Sequence, residues 1–201
     1  MRDVCVCAVA VSMAVFGLCY IVQIWRAKAA PPVATWVMFF AGCWISFPTY
    51  AFAESLTIET VGADIVNAMD LFFVTAVLGA ILLRGRFKND MDVYEYCYLA
   101  VALGIVVFWL ATGKSWGANK MSQCLMVAAY VPTISKMIRA GRNTESYFGW
   151  VPAIFNSLVG LYPAWYDGKE LAIWYDVRAF VQSSLLVLLM VYYDLRKRRN
   201  E

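Results

Sequence analysis

Long apolar stretches, separated by short polar segments, occupy most of this chain. A helix needs roughly 20 residues to cross a hydrocarbon core about 30 Å thick. Seven stretches approach that length, and each is interpreted as a membrane-spanning helix. They cover residues 4–25, 33–53, 65–83, 96–112, 121–139, 147–165 and 171–193. The pattern therefore predicts an all-α polytopic membrane protein with seven transmembrane helices.

Two other interpretations of the apolar stretches fit less well. A transmembrane β-barrel needs segments of about 10 residues that alternate apolar and polar positions, and residues 71–83 and 184–193 do not alternate. A cleaved signal peptide has an apolar core of about 7–15 residues. The first stretch is longer, and residues 29–32 form a poor cleavage site. We expect the first stretch to be retained as a helix.

The composition agrees with a membrane protein. Hydrophobic residues make up 62% of the 201 residues and charged residues only 15%. A soluble domain of this size does not bury so many apolar side chains. The seven stretches leave no room for a soluble enzyme domain, so we expect a single transmembrane domain.

Basic residues are concentrated on one side of the predicted bundle. That side carries 12 lysines and arginines against 4 on the other side. The 12 are Arg26, Lys28, Arg84, Arg86, Lys88, Lys136, Arg139, Arg142, Arg196, Lys197, Arg198 and Arg199. The positive-inside rule then predicts an outside N-terminus and a cytoplasmic C-terminus in the cell membrane. A basic rim facing anionic lipid headgroups accounts for the net charge of +3, so no nucleic-acid partner is predicted.

The C-terminal half repeats features of the N-terminal half, with one spare apolar stretch between the two halves. Residues 20–24 are followed by basic residues and then by Trp36, and residues 130–134 are followed by basic residues and then by Trp150. Two further pairs match at similar spacing: Phe47-Pro48 with Tyr162-Pro163, and Asp64 with Asp176. Duplicated helix groups form the site of many carriers at the interface between the two halves.

The motif in the second half resembles the signature of the PQ-loop superfamily, which includes the SWEET sugar transporters and the KDEL receptor. It consists of Tyr130, Pro132-Thr133-Ile134, several basic residues, Glu145-Ser146 and Trp150 at the start of the next helix. The first half departs from the family, because it has Val22-Gln23 where the family has Pro-Gln.

The resemblance implies an architecture of two three-helix units joined by a linker helix, with the N-terminus outside. The units would span residues 1–90 and 118–201, and the linker helix residues 91–117. It also implies transport of a small solute, with helical prolines as hinges. The candidate hinges are Pro48, Pro132 and Pro152. Three-helix units of this class pair within or between chains, so a homo-oligomer is an open alternative.

Polar side chains at membrane depth are costly and usually face a bundle interior or a cavity. Asn67 and Asp70 lie three residues apart on one face of the third predicted helix, and Gln182 takes the place of Asp70 in the repeat. One interpretation is a substrate cavity in which Asp70 carries a proton. The other is an aspartate that is hydrogen-bonded to a neighbouring helix or water. Asn156 and the mid-helix Trp44 are further candidates for contact with a substrate.

Arg178 lies in the seventh predicted helix, two residues after Asp176. We expect an ion pair between Arg178 and Asp64, Asp70 or Asp176, since a buried arginine without a partner is expensive. The alternative is that its side chain extends to the outer headgroups. These four residues form the predicted ion-pair or proton site.

Several kinds of chemistry are not predicted. The chain contains no histidine, which is the commonest metal ligand and general base. Its six cysteines lie in or beside apolar stretches and are interpreted as free thiols. The seventh helix has no lysine for a retinal Schiff base. We therefore predict a transporter of a small polar solute without a cofactor. The alternative is a receptor or scaffold of the same fold, and an enzyme that uses clustered aspartates ranks third.

Overall fold

The computed structural model describes residues 1–27, 31–84 and 92–200, and this part of the chain is helical without a strand. This part of the chain forms nine helices. These are α1 (Arg2–Trp25), α2 (Val33–Glu54), α3 (Ile58–Ala63), α4 (Ile65–Arg84), α5 (Val93–Thr112), α6 (Ser115–Ala128), α7 (Val131–Ala140), α8 (Tyr147–Tyr166) and α9 (Glu170–Asn200). The all-α prediction is confirmed for this part of the chain.

Five of these helices, α1, α2, α4, α5 and α9, are long and apolar enough to cross a membrane. Large apolar side chains cover their outer surfaces, as at Leu18, Phe72 and Leu110. A surface of this kind is expensive in water and is typical of a membrane protein. The further step to seven spans is a proposal and is taken up below.

The fifth predicted stretch, residues 121–139, is interrupted in the structure. Helix α6 ends at Ala128, and α7 begins at Val131. Pro132 has no N–H to donate to the carbonyl of Ala128, and its ring opposes a continuous helix. The hydroxyl of Tyr94 donates to that carbonyl instead, at 2.9 Å. The proline therefore ends α6, and a side chain from α5 satisfies the free backbone oxygen.

One further difference concerns the segment before α4. The short helix α3 is not predicted by hydropathy; it begins at a capping box between Thr57 and Thr60 and has Asp64 as its C-cap. Helix α9, as predicted, continues through Asp176 and Arg178 without a break. Side-chain polarity alone does not interrupt a helix whose backbone hydrogen bonds are intact.

The helices pack in two groups around a shared core. In the first group, α1 and α2 both contact α4, and in the second group α6 and α8 both contact α9. Helix α1 packs against α8 and α2 packs against α6, which joins the groups, while α5 lies against α2 and α6. The core between the groups is where polar side chains from several helices meet.

The two ends of the bundle differ in charge. The basic end holds the last turn of α1, the first turns of α2 and α8, and the last turns of α9. Lys28, Arg86 and Lys88, which contribute to the predicted basic side, lie outside the described residues, as does the boundary at residues 90 and 91 between the first unit and the linker.

At the opposite end, most of the basic side chains are paired. Three of them form salt bridges between separate elements: Arg2 with Asp167 at 2.7 Å, Lys169 with Glu54 at 2.8 Å, and Lys120 with Glu170 at 2.9 Å. The first bridge ties the start of α1, and the second ties the end of α2, to the turn between α8 and α9. These contacts close the opposite end of the interface between the two helix groups.

Candidate functional site

A cavity of about 60 Å³ lies between the two helix groups. On the same measure one water molecule needs about 10–15 Å³, so the cavity has room for a few water molecules. Side chains of α1, α2, α4, α6, α8 and α9 surround it. Its polar lining consists of Cys43, Asp70, Asn156, Ser157, Arg178 and Ser183. Three of the predicted site residues, Asp70, Asn156 and Arg178, are thus brought to one cavity.

Aromatic rings bound the cavity on the side of the basic end. We call this group the aromatic layer; it consists of Trp36, Phe39, Phe73, Tyr130 and Trp150. The ring of Phe39 meets that of Tyr130 edge-on at a centroid distance of 5.0 Å, and Tyr130 lies 5.5 Å from Trp150. Trp36 meets Phe73 edge-on at 5.5 Å. Rings packed at these distances make a dense, apolar seal.

The layer draws on the repeat seen in the sequence. Trp36 and Trp150 each occupy the fourth position of their helices, α2 and α8, and both are buried. Tryptophans near helix ends often form a belt at the membrane interface, but these two rings point into the bundle. Tyr130 reaches the layer from the break between α6 and α7.

Tyr175 organises the charged side of the cavity. Its hydroxyl donates to Oδ2 of Asp70 at 2.6 Å and lies 3.8 Å from the Sγ atom of Cys43. The guanidinium carbon of Arg178 lies 4.6 Å from the centroid of the same ring, which is a cation–π arrangement. One buried tyrosine on α9 therefore holds an aspartate of α4 at its hydroxyl and an arginine at its face.

The predicted ion pair of Arg178 is not formed. Nε of Arg178 donates to Oε1 of Gln123, and Nη1 donates to Oε1 of Gln182, both at 2.8 Å. Among the described residues, no carboxylate lies within salt-bridge distance of Arg178. Two amide oxygens take the donors instead, since Gln123 is itself fixed by a 2.7 Å bond from its Nε2 to Oγ of Ser46.

Asn67 and Gln182 lie behind the cavity wall. Nδ2 of Asn67 donates to Oδ2 of Asp64 at 2.7 Å and to Oγ of Ser46 at 3.1 Å. This network reaches Gln123 and, through it, Arg178. Asn67 and Gln182 therefore support the charged groups and do not line the cavity, contrary to the prediction that they face it.

Two buried aspartates remain apart from Arg178. Asp64 ends α3, and Asp176 lies in α9 beside Gly160 of α8. In the described part of the chain, Oδ1 of each has no hydrogen-bond partner. Neither of them lines the cavity, whereas Asp70 and Arg178 do. The four residues predicted as one ion-pair or proton site therefore occupy separate places.

Trp44 does not reach the cavity. Its side chain is 49% exposed on the outer face of α2 and donates from Nε1 to Oγ1 of Thr75 at 3.2 Å. Trp44 does lie in the middle of α2, as predicted. The position of a residue along a helix does not determine which face of the helix it occupies. The expectation that Trp44 contacts a substrate is therefore corrected.

The candidate hinge prolines occupy different settings. Pro48 and Pro152 lie inside the continuous helices α2 and α8, while Pro132 begins α7 after the helix break. The helix is interrupted just before Pro132, between Ala128 and Val131. Hinge motion at any of the three stays a prediction.

Three functional side chains were missed by the sequence analysis: Tyr175, Gln123 and the ring of Tyr130. Tyr175 precedes Asp176, and only the charged residue of these two was selected by the rule for polar groups at membrane depth. Gln123 is a polar residue inside an apolar stretch, and the rule that singled out Asn67 would have identified it. Tyr130 lies in the repeated motif, but only the fold shows that its ring meets Phe39 and Trp150.

No metal centre is visible in the ranges 1–27, 31–84 and 92–200, where no group of three or more cysteine or acidic side chains is placed to hold an ion. The arrangement instead offers one carboxylate, one guanidinium and several neutral polar groups around a small cavity. Comparison with protein-family models, curated proteins and solved structures finds no match to this chain.

Glu145 lies below the aromatic layer, in the turn between α7 and α8. Its side chain is only 2% exposed, and its Oε1 atom lies 4.0 Å from Nζ of Lys136. Burial raises the pKa of this carboxyl from 4.5 to about 7, and the nearby charge of Lys136 only partly opposes the shift. Between pH 4.5 and pH 7, Glu145 is therefore mostly neutral in the folded chain and mostly charged in the unfolded chain. Above pH 7 the folded chain has to hold a buried charge.

The pKa shift predicts that stability falls as pH rises. The folded pKa lies above the unfolded value, so the contribution is fully present below pH 4.5, declines through the window up to pH 7, and is lost above it. We expect a loss of roughly 2 kcal/mol between pH 5 and pH 8. Glu145→Gln should remove this contribution and make the measured slope shallower by the same amount. Thermal unfolding of purified protein in detergent at several pH values measures it, and equal slopes for both proteins would refute the assignment.

Proposed function

We propose that the chain crosses the membrane seven times, as two three-helix units joined by a linker helix. The spans are α1, α2 and α4, then the linker α5, then α6 with α7, α8 and α9. The contact pattern supports this order, because α1 and α2 meet α4 just as α6 and α8 meet α9. In this comparison α1 corresponds to α6, α2 to α8 and α4 to α9. The contact of α1 with α8 therefore corresponds to the contact of α6 with α2, and both are present.

In this proposal the basic end faces the cytoplasm, the N-terminus lies outside, and the membrane is the cell membrane. The paired state of the basic residues at the opposite end supports the orientation. There, Arg2, Lys120 and Lys169 are balanced by acidic partners. The last turn of α9 carries Lys197, Arg198 and Arg199 at the basic end, where they meet anionic headgroups.

The function we propose is transport of a small polar solute by alternating access, in a protein similar to the PQ-loop and SWEET-like carriers. The observation that carries it is the cavity between the two units, which exposes Asp70 and Arg178 and is bounded by the aromatic layer. Salt bridges close the opposite end. A site between two related helix units is what an alternating-access carrier uses.

A direct test is uptake of small solutes into proteoliposomes, with and without a pH gradient. Asp70→Asn keeps the shape of the side chain but removes its charge and its ability to exchange a proton. We expect its uptake to fall several-fold and to lose its response to the pH gradient, because the carboxylate faces the cavity. Asp3→Asn is the matched control, since Asp3 is exposed at the opposite end and is 88% accessible.

The alternative is a receptor or scaffold with the same fold. A cavity of only 60 Å³ is compatible with a resting binding site as well as with an occluded transport site. Folded protein that binds a solute but takes up none would favour the receptor. Equal uptake by Asp70→Asn and Asp3→Asn at every pH would exclude Asp70 from a transport mechanism.

A further inference from the structure

Two opposite charges face the same cavity without pairing. Asp70 and Arg178 both line it, both are partly accessible to it, and no salt bridge joins them. In a medium of low dielectric constant such charges attract strongly. We propose that the space between them binds a small zwitterion, whose ammonium group meets Asp70 and whose carboxylate meets Arg178. This inference rests on the cavity as the solute site of the proposed function.

The structure holds the two charges in place by separate contacts. Tyr175 binds Asp70 at its hydroxyl, while its ring lies under the guanidinium of Arg178. Gln123 and Gln182 accept from Nε and Nη1 of Arg178. These contacts prevent the pair from collapsing and leave other donors of the guanidinium for a ligand. A ligand carrying both charges satisfies each group at once.

A buried amide in the same cavity adds a second, independent acceptor. Asn156 lines the cavity, is 2% exposed, and its Oδ1 atom has no hydrogen-bond partner in the described residues. An unsatisfied acceptor of this kind is costly. Oδ1 of Asn156 and the carboxylate of Asp70 both offer acceptors to an ammonium group, which has only donors.

The size of the cavity limits the zwitterion. A volume of 60 Å³ holds about four to six water molecules at 10–15 Å³ each, so only a small ligand fits. Glycine has five heavy atoms and alanine has six. The aromatic layer supplies an apolar wall for a methyl group but leaves no room for a long side chain. A small α-amino acid fits these limits better than a sugar, which carries no charges to balance the pair.

The proposal is tested by binding of a matched ligand series to the full-length protein in detergent. The series consists of L-alanine, L-alaninamide without the carboxylate, propionate without the ammonium group, and lactamide with neither charge. Each charge-assisted contact should change the Kd by at least about tenfold. We expect alanine to bind at least tenfold more tightly than each analogue. Equal affinities, tighter binding of lactamide, or no binding of any member would overturn the proposal.

Two variants assign the charges to their partners. Asp70→Asn should lose the preference for alanine over propionate but keep the preference over alaninamide. Arg178→Gln should show the reverse, and a ligand preference unchanged in both would contradict the assignment. The wild-type series decides the question even where a variant fails to fold.

The same samples separate this inference from the proposed function. Binding of alanine without uptake in proteoliposomes would refute the carrier and leave the zwitterion site. Uptake of a neutral solute, without any preference for alanine, would refute the zwitterion site and leave the carrier.

Discussion

Replacing Trp150 by alanine is expected to raise the rate at which water-soluble thiol reagents modify Cys43 by about 100-fold. Cys43 lines the cavity and is only 1% exposed, and the aromatic layer separates it from the basic end. Trp→Ala changes in packed interiors cost about 3–5 kcal/mol. If the substitution lowers the free energy of opening the aromatic layer by about 3 kcal/mol, the open form becomes about 100-fold more populated, since each 1.4 kcal/mol is a factor of ten.

The measurement is the rate of modification by a charged, membrane-impermeant reagent, in a background where the other five cysteines are alanine. Phe155→Ala is the matched control, because Phe155 lies on the exposed face of the same helix and is 50% exposed. It should leave the rate unchanged. If Trp150→Ala and Phe155→Ala give the same rate, the aromatic layer is not what closes this side of the cavity.

Replacing Gly160 by leucine should destabilise the fold by about 3 kcal/mol or more. A Cβ atom at Gly160 would collide with Cγ2 of Val66 and would lie 3.0 Å from Oδ2 of Asp176. Neither neighbour is the end of a flexible side chain, so α8 must move away from α4 and α9. Small residues at such crossings allow close helix packing in membranes. Yield and thermal unfolding in detergent report the loss.

Gly104 provides the control for this substitution. It lies inside α5, and a Cβ atom there meets nothing within 4 Å. Gly104→Leu should leave stability unchanged or raise it slightly, because leucine favours helix more than glycine does. Equal unfolding temperatures for Gly160→Leu and Gly104→Leu would show that α8 and α4 are not in close contact.

Much of the fold was predictable from hydropathy. The predicted stretches 33–53, 65–83 and 147–165 agree with α2, α4 and α8 within one residue at each end. The reason is that a lipid-exposed helix must be apolar over its whole length, so its ends coincide with the return of polar residues. The short helix α3 and the break after α6 were not predicted, because they depend on local capping and on Pro132.

The site was predictable only in part. Polarity at membrane depth singled out Asp70, Asn156 and Arg178, since each is costly to place in lipid, and all three line the cavity. The same rule did not reveal which partner each side chain has. Tyr175 and Gln182 lie three residues before and four residues after Arg178 on α9, where helical spacing allows contact. Gln123 comes from α6, and no pattern along one helix predicts that contact. Trp44 was misplaced for the same reason.

The break between α6 and α7 has a mechanical consequence. Tyr130 stands at this break and carries one ring of the aromatic layer, whereas its counterpart in the repeat, Tyr20, lies inside the continuous helix α1. A change of backbone angle at Tyr130 would move that ring without displacing a whole helix, whereas moving the ring of Tyr20 in the same way would bend α1. The symmetry of the two halves is therefore broken at the aromatic layer itself, and we expect any rearrangement of the layer to begin at Tyr130.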